Sequence, residues 1–319
     1  MVIAASHSTE AVLLTLESLR AQSKCDRIEV LIVAPRDTIP RPPSLHDGVH
    51  WIEAEPGSSV PRLRRLGLDR ARAEIVVFTE DSCRFDDEWA TAWLDVFVDE
   101  QVGAATGPVE PAMGDRAIDQ AVFFCEYAPF LPSRISRTGP PDRLAGNNFA
   151  VRRSLSARLD PVRIEECDVP EVVALTDGSL ATADRALAFH VRRFSAGEAF
   201  GERFRFGHAY GRHRGERASR TERLAGLAAG PAILVSQTVR LVLTMVRKRR
   251  IDRGFTRAFP LTVALLSAWS AGEWLGWATA AVPPRLSHRR RGRAGRPHDP
   301  RIDRHRSQPP RCSSGPQTP

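Results

Sequence analysis

The sequence contains no CxxC pair, the cysteine spacing that zinc sites and redox couples commonly use. Its five cysteines are an odd number and lie far apart, at positions 25, 83, 125, 167 and 312. This pattern favours a reducing compartment. The first residues, "MVIAASHSTE", also lack a basic segment followed by a long apolar one, so we expect no secretory signal.

Most of the chain also lacks a net charge of either sign. The formal net charge of +8 comes from residues 285 to 319, where ten arginines accompany two aspartates. This segment has almost no large apolar residues, which predicts a disordered basic tail. It also lacks interleaved aromatic residues, so nucleic-acid binding is the least favoured class of function.

Short apolar runs alternate with helical patterns over the first two thirds of the chain. The runs "VIAAS" and "EIVVFTE" are each followed by a segment with apolar residues at helical spacing. The run "IEVLIVA" leads through a proline-rich loop to a further strand-like run, "VHWIEAE", and a helical segment follows after "PGSS". Strands and helices that alternate in this way form a mostly parallel sheet covered on both faces. We therefore predict an α/β fold.

Two acids end the third of these runs. Glu80 and Asp81 follow an apolar strand, and ligands of open α/β sheets bind beyond the carboxyl ends of the strands. Two adjacent carboxylates repel each other unless a positive charge lies beside them, and a divalent cation that bridges a diphosphate is one solution. A helix cap for the segment that starts near Asp86 is an equally weighted interpretation.

Three segments together resemble the family 2 glycosyltransferases, which have the GT-A fold. They are "VIAAS", "PGSSVPRLRRLGLDRARAEIVVFTEDSC" and "GNNFAVRRSL", and the resemblance covers roughly residues 1 to 215. In that family the strand ends in an Asp-any-Asp motif that holds Mg²⁺ or Mn²⁺ against the diphosphate of a nucleotide-sugar. Here Ser82 replaces the last acid of the motif, which weakens the expectation of a metal.

The resemblance implies the following binding residues. The expected metal ligands are Glu80, Asp81 and His190. The expected nucleotide-sugar contacts are Ala5, Ser6, Arg64, Asp81, Asn147, Asn148 and Arg212. A lone histidine after a strand is more often a structural residue, and the arginines that follow it form either a diphosphate clamp or a solvated helix face. An ordinary polar turn is the alternative for the two asparagines.

The resemblance also implies a carboxylate that removes a proton from the acceptor hydroxyl in an inverting displacement. The segment "IEECDVPE" offers candidates, of which Glu166 is the first choice and Asp168 the second, with Glu165 beside them. Clustered acids raise one another's pKa, which suits a general base. The solvated first turn of a helix explains the same cluster equally well.

Two long apolar stretches follow, at residues 230 to 246 and 258 to 282. Each approaches the ~20 residues that cross a bilayer. The basic segment "RKRRIDRGFTR" lies between them, and the basic tail follows, so helices lying in the membrane interface satisfy the charge distribution better than spans. Two buried core helices are the alternative. We predict a GT-A domain at 1–225, membrane-associated helices at 226–284 and the tail at 285–319.

These expectations combine into one prediction of function. The chain would transfer a sugar from a nucleotide-diphospho-sugar to a lipid-linked or cell-envelope glycan at the cytoplasmic face of the membrane, with Mg²⁺ or Mn²⁺. The main alternative is a catalytically degenerate relative that binds a nucleotide or glycan and acts as a scaffold.

Overall fold

The computed structural model describes residues 1 to 280, except residues 38, 43–44, 46–47, 113, 115 and 134–140. The described residues belong to one compact unit, Met1–Ala281. The predicted tail at 285–319 lies outside the described residues, and the predicted boundary at residue 225 stays a prediction.

Seven strands form the main sheet, in the order β3-β2-β1-β4-β8-β6-β9. All neighbours in it are parallel except β8, which is antiparallel to both β4 and β6. The strands are β1 (Val2–Ala4), β2 (Val30–Pro35), β3 (Val49–Ala54), β4 (Ile75–Glu80), β6 (Val102–Thr106), β8 (Asn148–Arg152) and β9 (Ser179–Thr182). The predicted α/β fold with a mostly parallel sheet is therefore confirmed.

Helices cover both faces of this sheet because the side chains of each strand alternate between two apolar cores. In β1, Ile3 belongs to the core that contains Val12 and Leu16 of α1 (Thr9–Arg20). Val2 belongs to the opposite core, together with Leu63 of α2 (Val60–Arg70). Both faces of the central strands are buried, which explains their nearly continuous apolar sequence.

Three short strands form a second sheet, in the order β5-β10-β7. Its strands are β5 (Cys83–Phe85), β7 (Val109–Pro111) and β10 (Ala188–His190). The remaining helices are α3 (Trp89–Val96), α4 (Ala117–Tyr127), α5 (Val169–Ala174), α6 (Ala196–Arg217), α7 (Arg220–Ala228), α8 (Gly230–Arg247) and α9 (Arg253–Thr279).

The second apolar stretch forms α9, and one face of this helix is buried inside the protein. Phe255, Ala258 and Leu265 pack with aromatic residues of α4 in a third apolar core. Within the described part of the chain, no single helix is long and apolar enough to cross a membrane. Segments Thr221–Ala228 and Ala232–Arg247 pass that test only together, and they meet at an angle of 73°.

Glycines allow α6 and α9 to approach each other closely. A Cβ atom placed on Gly211 of α6 would lie 2.1 Å from the backbone oxygen of Glu273, and one on Gly272 of α9 would lie 2.1 Å from that of Phe204. Backbone atoms therefore occupy the space that side chains normally fill. The same close approach is common between membrane helices, but it requires only small residues.

We predict that Gly211→Ala lowers the free energy of unfolding by about 2 kcal/mol or more, because the two helix backbones must separate. The control is Gly201→Ala on the same helix, where an added Cβ meets nothing within 4 Å. That control should stabilise the protein by about 0.5 kcal/mol through helix propensity. Urea unfolding followed by circular dichroism measures both changes, and equal effects would contradict the close packing.

Candidate active site

The order in which strands are added to the main sheet reverses at β1. Strands β2 and β3 lie on one side of β1, whereas β4 lies on the other. The carboxyl ends of β1 and β4 are level, because Ala4 pairs with Glu80. A crevice at such a switch point is the usual ligand site of an open α/β sheet. The predicted acids Glu80 and Asp81 stand at this position.

Asp81 is fully buried and ties the end of β4 to the loop after β1. Its Oδ2 accepts hydrogen bonds from the backbone N–H groups of His7 at 2.8 Å and Ser6 at 3.2 Å. Its Oδ1 lies 2.5 Å from Nδ1 of His7. Burial lowers the pKa of His7, but the hydrogen bond and charge of Asp81 outweigh this effect and raise it above its usual range. The structure thus adds His7 to the site, a residue that the sequence analysis did not select.

Arg64 contacts Glu80, Glu166 and the "GNNFAVRRSL" segment, all of which the sequence predicted for the site. From α2 its buried guanidinium reaches Glu80 Oε1 at 3.3 Å and Glu166 Oε2 at 2.7 Å. It also donates to the carbonyl oxygen of Gly146 at 2.8 Å. Burial raises the pKa of Glu80, and the positive charges of Arg64 and His7 oppose that rise. The structure therefore brings together a predicted nucleotide contact, a predicted metal ligand and the first-choice base.

The other two candidate bases lie on either side of Glu166. Burial and the negative charge of Glu166 raise the pKa of Glu165 above its usual range. Asp168 precedes α5 and makes no side-chain capping bond to it. Glu165 therefore has the electrostatic property that the sequence analysis expected of a base in this cluster.

The two asparagines at the start of β8, Asn147 just before it and Asn148 as its first residue, have different surroundings. The amide of Asn148 is committed within the core, because Oδ1 accepts from Trp89 Nε1 at 2.9 Å and Nδ2 donates to the carbonyl oxygens of Pro108 and Ala186. This arrangement gives no support to the predicted sugar contact of Asn148. Asn147 is also buried, but its Oδ1 has no hydrogen-bond partner among the described residues.

The three predicted metal ligands do not form a metal site. Asp81 has both oxygens engaged, Glu80 faces Arg64, and His190 is buried among the rings of Phe123, Tyr127 and Phe194. Within the described ranges, no group of three His, Cys, Asp or Glu residues is placed to hold a metal ion. Burial and nearby cations lower the pKa of His190 to about 3, so this imidazole is neutral at neutral pH. Glu80, Asp81 and His190 are therefore not arranged to hold the predicted Mg²⁺ or Mn²⁺ ion.

Three arginines of the predicted cluster on α6 pair with separate acidic residues, and the fourth, Arg205, donates to the backbone oxygen of Gly201. Arg212, a predicted nucleotide-sugar contact, pairs with Glu216 on its own helix at 2.9 Å. Arg203 pairs with Glu126 of α4, and Arg214 with Glu273 of α9. Of the remaining predicted contacts, Ser6 lies at the switch point of the sheet, where its backbone N–H donates to Asp81, whereas Ala5 is fully buried and its N–H donates to the carbonyl oxygen of Val33 of β2.

Comparisons with known proteins place the fold. No protein-family model and no curated protein matches the chain. Among solved structures, the mannosyltransferase PcManGT from Pyrobaculum calidifontis, in complex with GDP-Man and Mn²⁺, is similar with a TM-score of 0.50 and 15% identity. The likeness covers 85% of this chain and 86% of that one. The chain has a GT-A-like fold. The structure of GalNAc-T7 with UDP, GalNAc and Mn²⁺ is also similar, at a TM-score of 0.45 and 12% identity over 61% of this chain and 43% of that chain.

We predict that His7→Gln destabilises the protein more at about pH 5.5 than at about pH 9. A raised pKa in the folded state means that the ion pair with Asp81 contributes fully below the ordinary histidine value of 6.5 and is lost as pH rises through the raised value. The expected difference is about 2 kcal/mol at the lower pH. Urea unfolding of both proteins at each pH measures it, and a pH-independent difference would show that the pair is not charged.

We also predict that Arg64→Met lowers the free energy of unfolding by about 3 kcal/mol, because Glu80 and Glu166 lose their shared cation. Arg62→Met on the same helix is the control, since among the described residues Arg62 donates a single exposed side-chain hydrogen bond, to the Val162 carbonyl oxygen. Arg62→Met should lower the free energy of unfolding by no more than about 1 kcal/mol. Equal losses in urea unfolding would show that Arg64 does not hold the two acids together.

Proposed function

We propose that this protein is a family 2-like glycosyltransferase that uses a nucleotide-diphospho-sugar. The observation that carries the proposal is the cluster of Glu80, Arg64 and Glu166 beside the switch point of the sheet. Burial raises the pKa of Glu80, and titratable groups with perturbed pKa values at the carboxyl ends of sheet strands are typical of functional sites. PcManGT, which is 15% identical to this chain, contains GDP-Man in its complex. Only the similarity of its fold supports this proposal.

The proposed reaction is a direct displacement at the anomeric carbon of the donor sugar. A carboxylate of the 165–168 segment accepts the proton of the acceptor hydroxyl, and that oxygen attacks the carbon as the nucleoside diphosphate leaves. Glu165 is the favoured base because its pKa is raised and its contact with Arg163 is long, at 3.9 Å, whereas Glu166 forms an ion pair with Arg64 at 2.7 Å. A single displacement of this kind inverts the anomeric configuration.

A requirement for a divalent metal ion is proposed separately from the transfer reaction. PcManGT contains Mn²⁺ in its complex, and the family resemblance implies Mg²⁺ or Mn²⁺. Because the described residues do not assemble the predicted ligands, the proposed reaction includes no step through a metal. A comparison of nucleotide binding with Mn²⁺ and with a chelator tests the cofactor independently of the transfer.

The proposed place of action is the cytoplasmic face of the membrane, with a lipid-linked or cell-envelope glycan as acceptor. Support comes from α8, where Val235, Val239 and Val246 are exposed by 62%, 50% and 52%. Arg240 and Arg247 lie on the same helix and are also exposed. An amphipathic helix of this composition suits a position in the interface between lipid headgroups and acyl chains.

A nucleotide-binding scaffold is the second candidate. Two observations favour it, namely Ser82 in place of an acid and the engagement of both Asp81 oxygens by His7 and the loop. A scaffold of this kind would bind nucleotide without breaking the sugar–phosphate bond. Binding and hydrolysis must therefore be measured separately.

We predict that the purified protein binds and slowly hydrolyses at least one nucleotide-sugar in a panel that includes GDP-mannose and UDP-GalNAc. Calorimetry measures binding, and chromatography detects the released nucleoside diphosphate, each with Mn²⁺ and with a chelator. Glu165→Gln should abolish hydrolysis. Glu80→Gln should weaken binding at least about tenfold, or 1.4 kcal/mol, because Glu80 positions Arg64, the expected nucleotide-sugar contact.

Glu100→Gln is the matched control, because Glu100 is exposed and lies in the loop after α3, away from the crevice. It should leave both activities unchanged. Binding without hydrolysis or transfer would support the scaffold, and failure to bind any nucleotide-sugar would contradict both candidates.

A further inference from the structure

A cavity lies among helices α4, α6, α8 and α9, and neither Glu80, Arg64 nor Glu166 lines it. Its volume is about 850 Å³, which is in the range of small-molecule sites. Apolar and aromatic side chains form much of its wall, including Phe124, Leu241, Leu266 and Trp269. A cavity of this size and lining can hold the apolar part of a ligand.

Cationic side chains line the same cavity in excess. They are Arg143, Arg203, Arg240, Arg247 and Lys248, and they are accompanied there by one acid, Asp142. Asp142 pairs with Arg143 at 3.6 Å, and Arg203 pairs with Glu126. Arg240 and Arg247 form no ion pair with any described residue. The cavity therefore combines an apolar wall with uncompensated positive charge, which favours an anionic group.

Two buried polar atoms in the wall also lack partners. Arg203 is 4% exposed, and its guanidinium lies over the ring of Trp269 at 5.5 Å. Its Nε has no hydrogen-bond partner among the described residues, and neither has Oε1 of Gln237. Buried polar atoms normally have partners, so these two point to a ligand with both acceptor and donor groups.

Helix α4 links the cavity to Glu80 of the candidate active site. Phe124, Cys125 and Ala128 line the cavity, while the intervening Glu126 and Tyr127 interact electrostatically with Glu80. Glu126 is also the acid that pairs with Arg203 of the cavity wall. A molecule bound in the cavity would thus lie one helix away from the proposed reaction.

The exposed apolar side of α8 reaches this cavity. Leu243 both lines the cavity and is 45% exposed, and Val239 and Val246 lie near it on the same helix at 50% and 52% exposure. An apolar chain that leaves the cavity at Leu243 would therefore continue along apolar side chains. This continuity would not be needed for a purely polar ligand such as a free glycan.

We propose that this cavity binds the anionic amphiphilic end of a lipid-linked glycan acceptor, a phosphate ester that carries an apolar chain, while a glycan hydroxyl of the same molecule loses its proton to the 165–168 segment and forms the bond to the sugar as the nucleoside diphosphate leaves. Arg240 and Arg247 neutralise the phosphate, and Leu241, Leu266 and Trp269 contact the first part of the chain. As acceptor, this assignment rests on the proposed function, whereas the binding itself does not depend on it.

The test uses the full chain and dodecyl phosphate below its micelle concentration, with binding measured by calorimetry and by the fluorescence of Trp269 and the other tryptophans. The expected result is saturable binding that weakens at least tenfold in the double variant Arg240→Glu plus Arg247→Glu. The control is Arg70→Glu plus Arg158→Glu, which makes the same charge change at two exposed arginines outside the cavity. The control should bind like the unmodified protein.

Two further probes separate the sources of affinity. Inorganic phosphate should bind far more weakly than dodecyl phosphate, and dodecyl maltoside, which has the chain without the charge, should also bind more weakly. Equal binding of inorganic phosphate, equal binding of the maltoside, or equal losses in the two double variants would overturn the proposal. Nucleotide-sugar binding measured on the same samples is the separate readout: if it persists while dodecyl phosphate does not bind, only the cavity assignment fails.

Discussion

The buried guanidinium of Arg64 is the interaction on which the candidate active site depends. It lies between Glu80 at the end of β4 and Glu166 in the loop before α5, and it also holds the carbonyl oxygen of Gly146. Two carboxylates this close together repel each other without a shared cation. Gly146 fits this arrangement, since a Cβ there would lie 3.1 Å from Arg64 Nη2 and 3.2 Å from Glu166 Cδ. One side chain thereby fixes three segments that are distant in sequence.

Asp81 interacts with different groups from its neighbour Glu80. Its carboxylate binds the loop after β1 through His7 and Ser6, and Thr15 of α1 donates to its carbonyl oxygen at 3.0 Å. These contacts connect the end of β4 to the loop after β1 and to α1. The acid pair therefore divides into a structural member, Asp81, and a member that faces the cation of Arg64.

The C-terminal helices connect this α/β core to the proposed acceptor cavity. Glycines of α6 and α9 bring the two backbones into contact, and α4 packs against α9 on one side while its Glu126 pairs with Arg203 of α6. Part of the apolar composition of α9 is thus used inside the protein. The exposed apolar residues of α8 have no such partner among the described residues, which is why α8 carries the proposed membrane contact.

The sequence by itself determined the α/β architecture and the position of Glu80 and Asp81 at a strand end, because strand burial and the period of apolar residues are local properties. It also selected Arg64 and Glu166, although only through the family resemblance. The tertiary structure decided that these two side chains meet, that His7 binds Asp81, that Asn148 is used in the core, and that α6 and α9 touch through glycines. Such pairings join residues far apart in the chain, and their geometry depends on how whole elements pack, which no local pattern encodes.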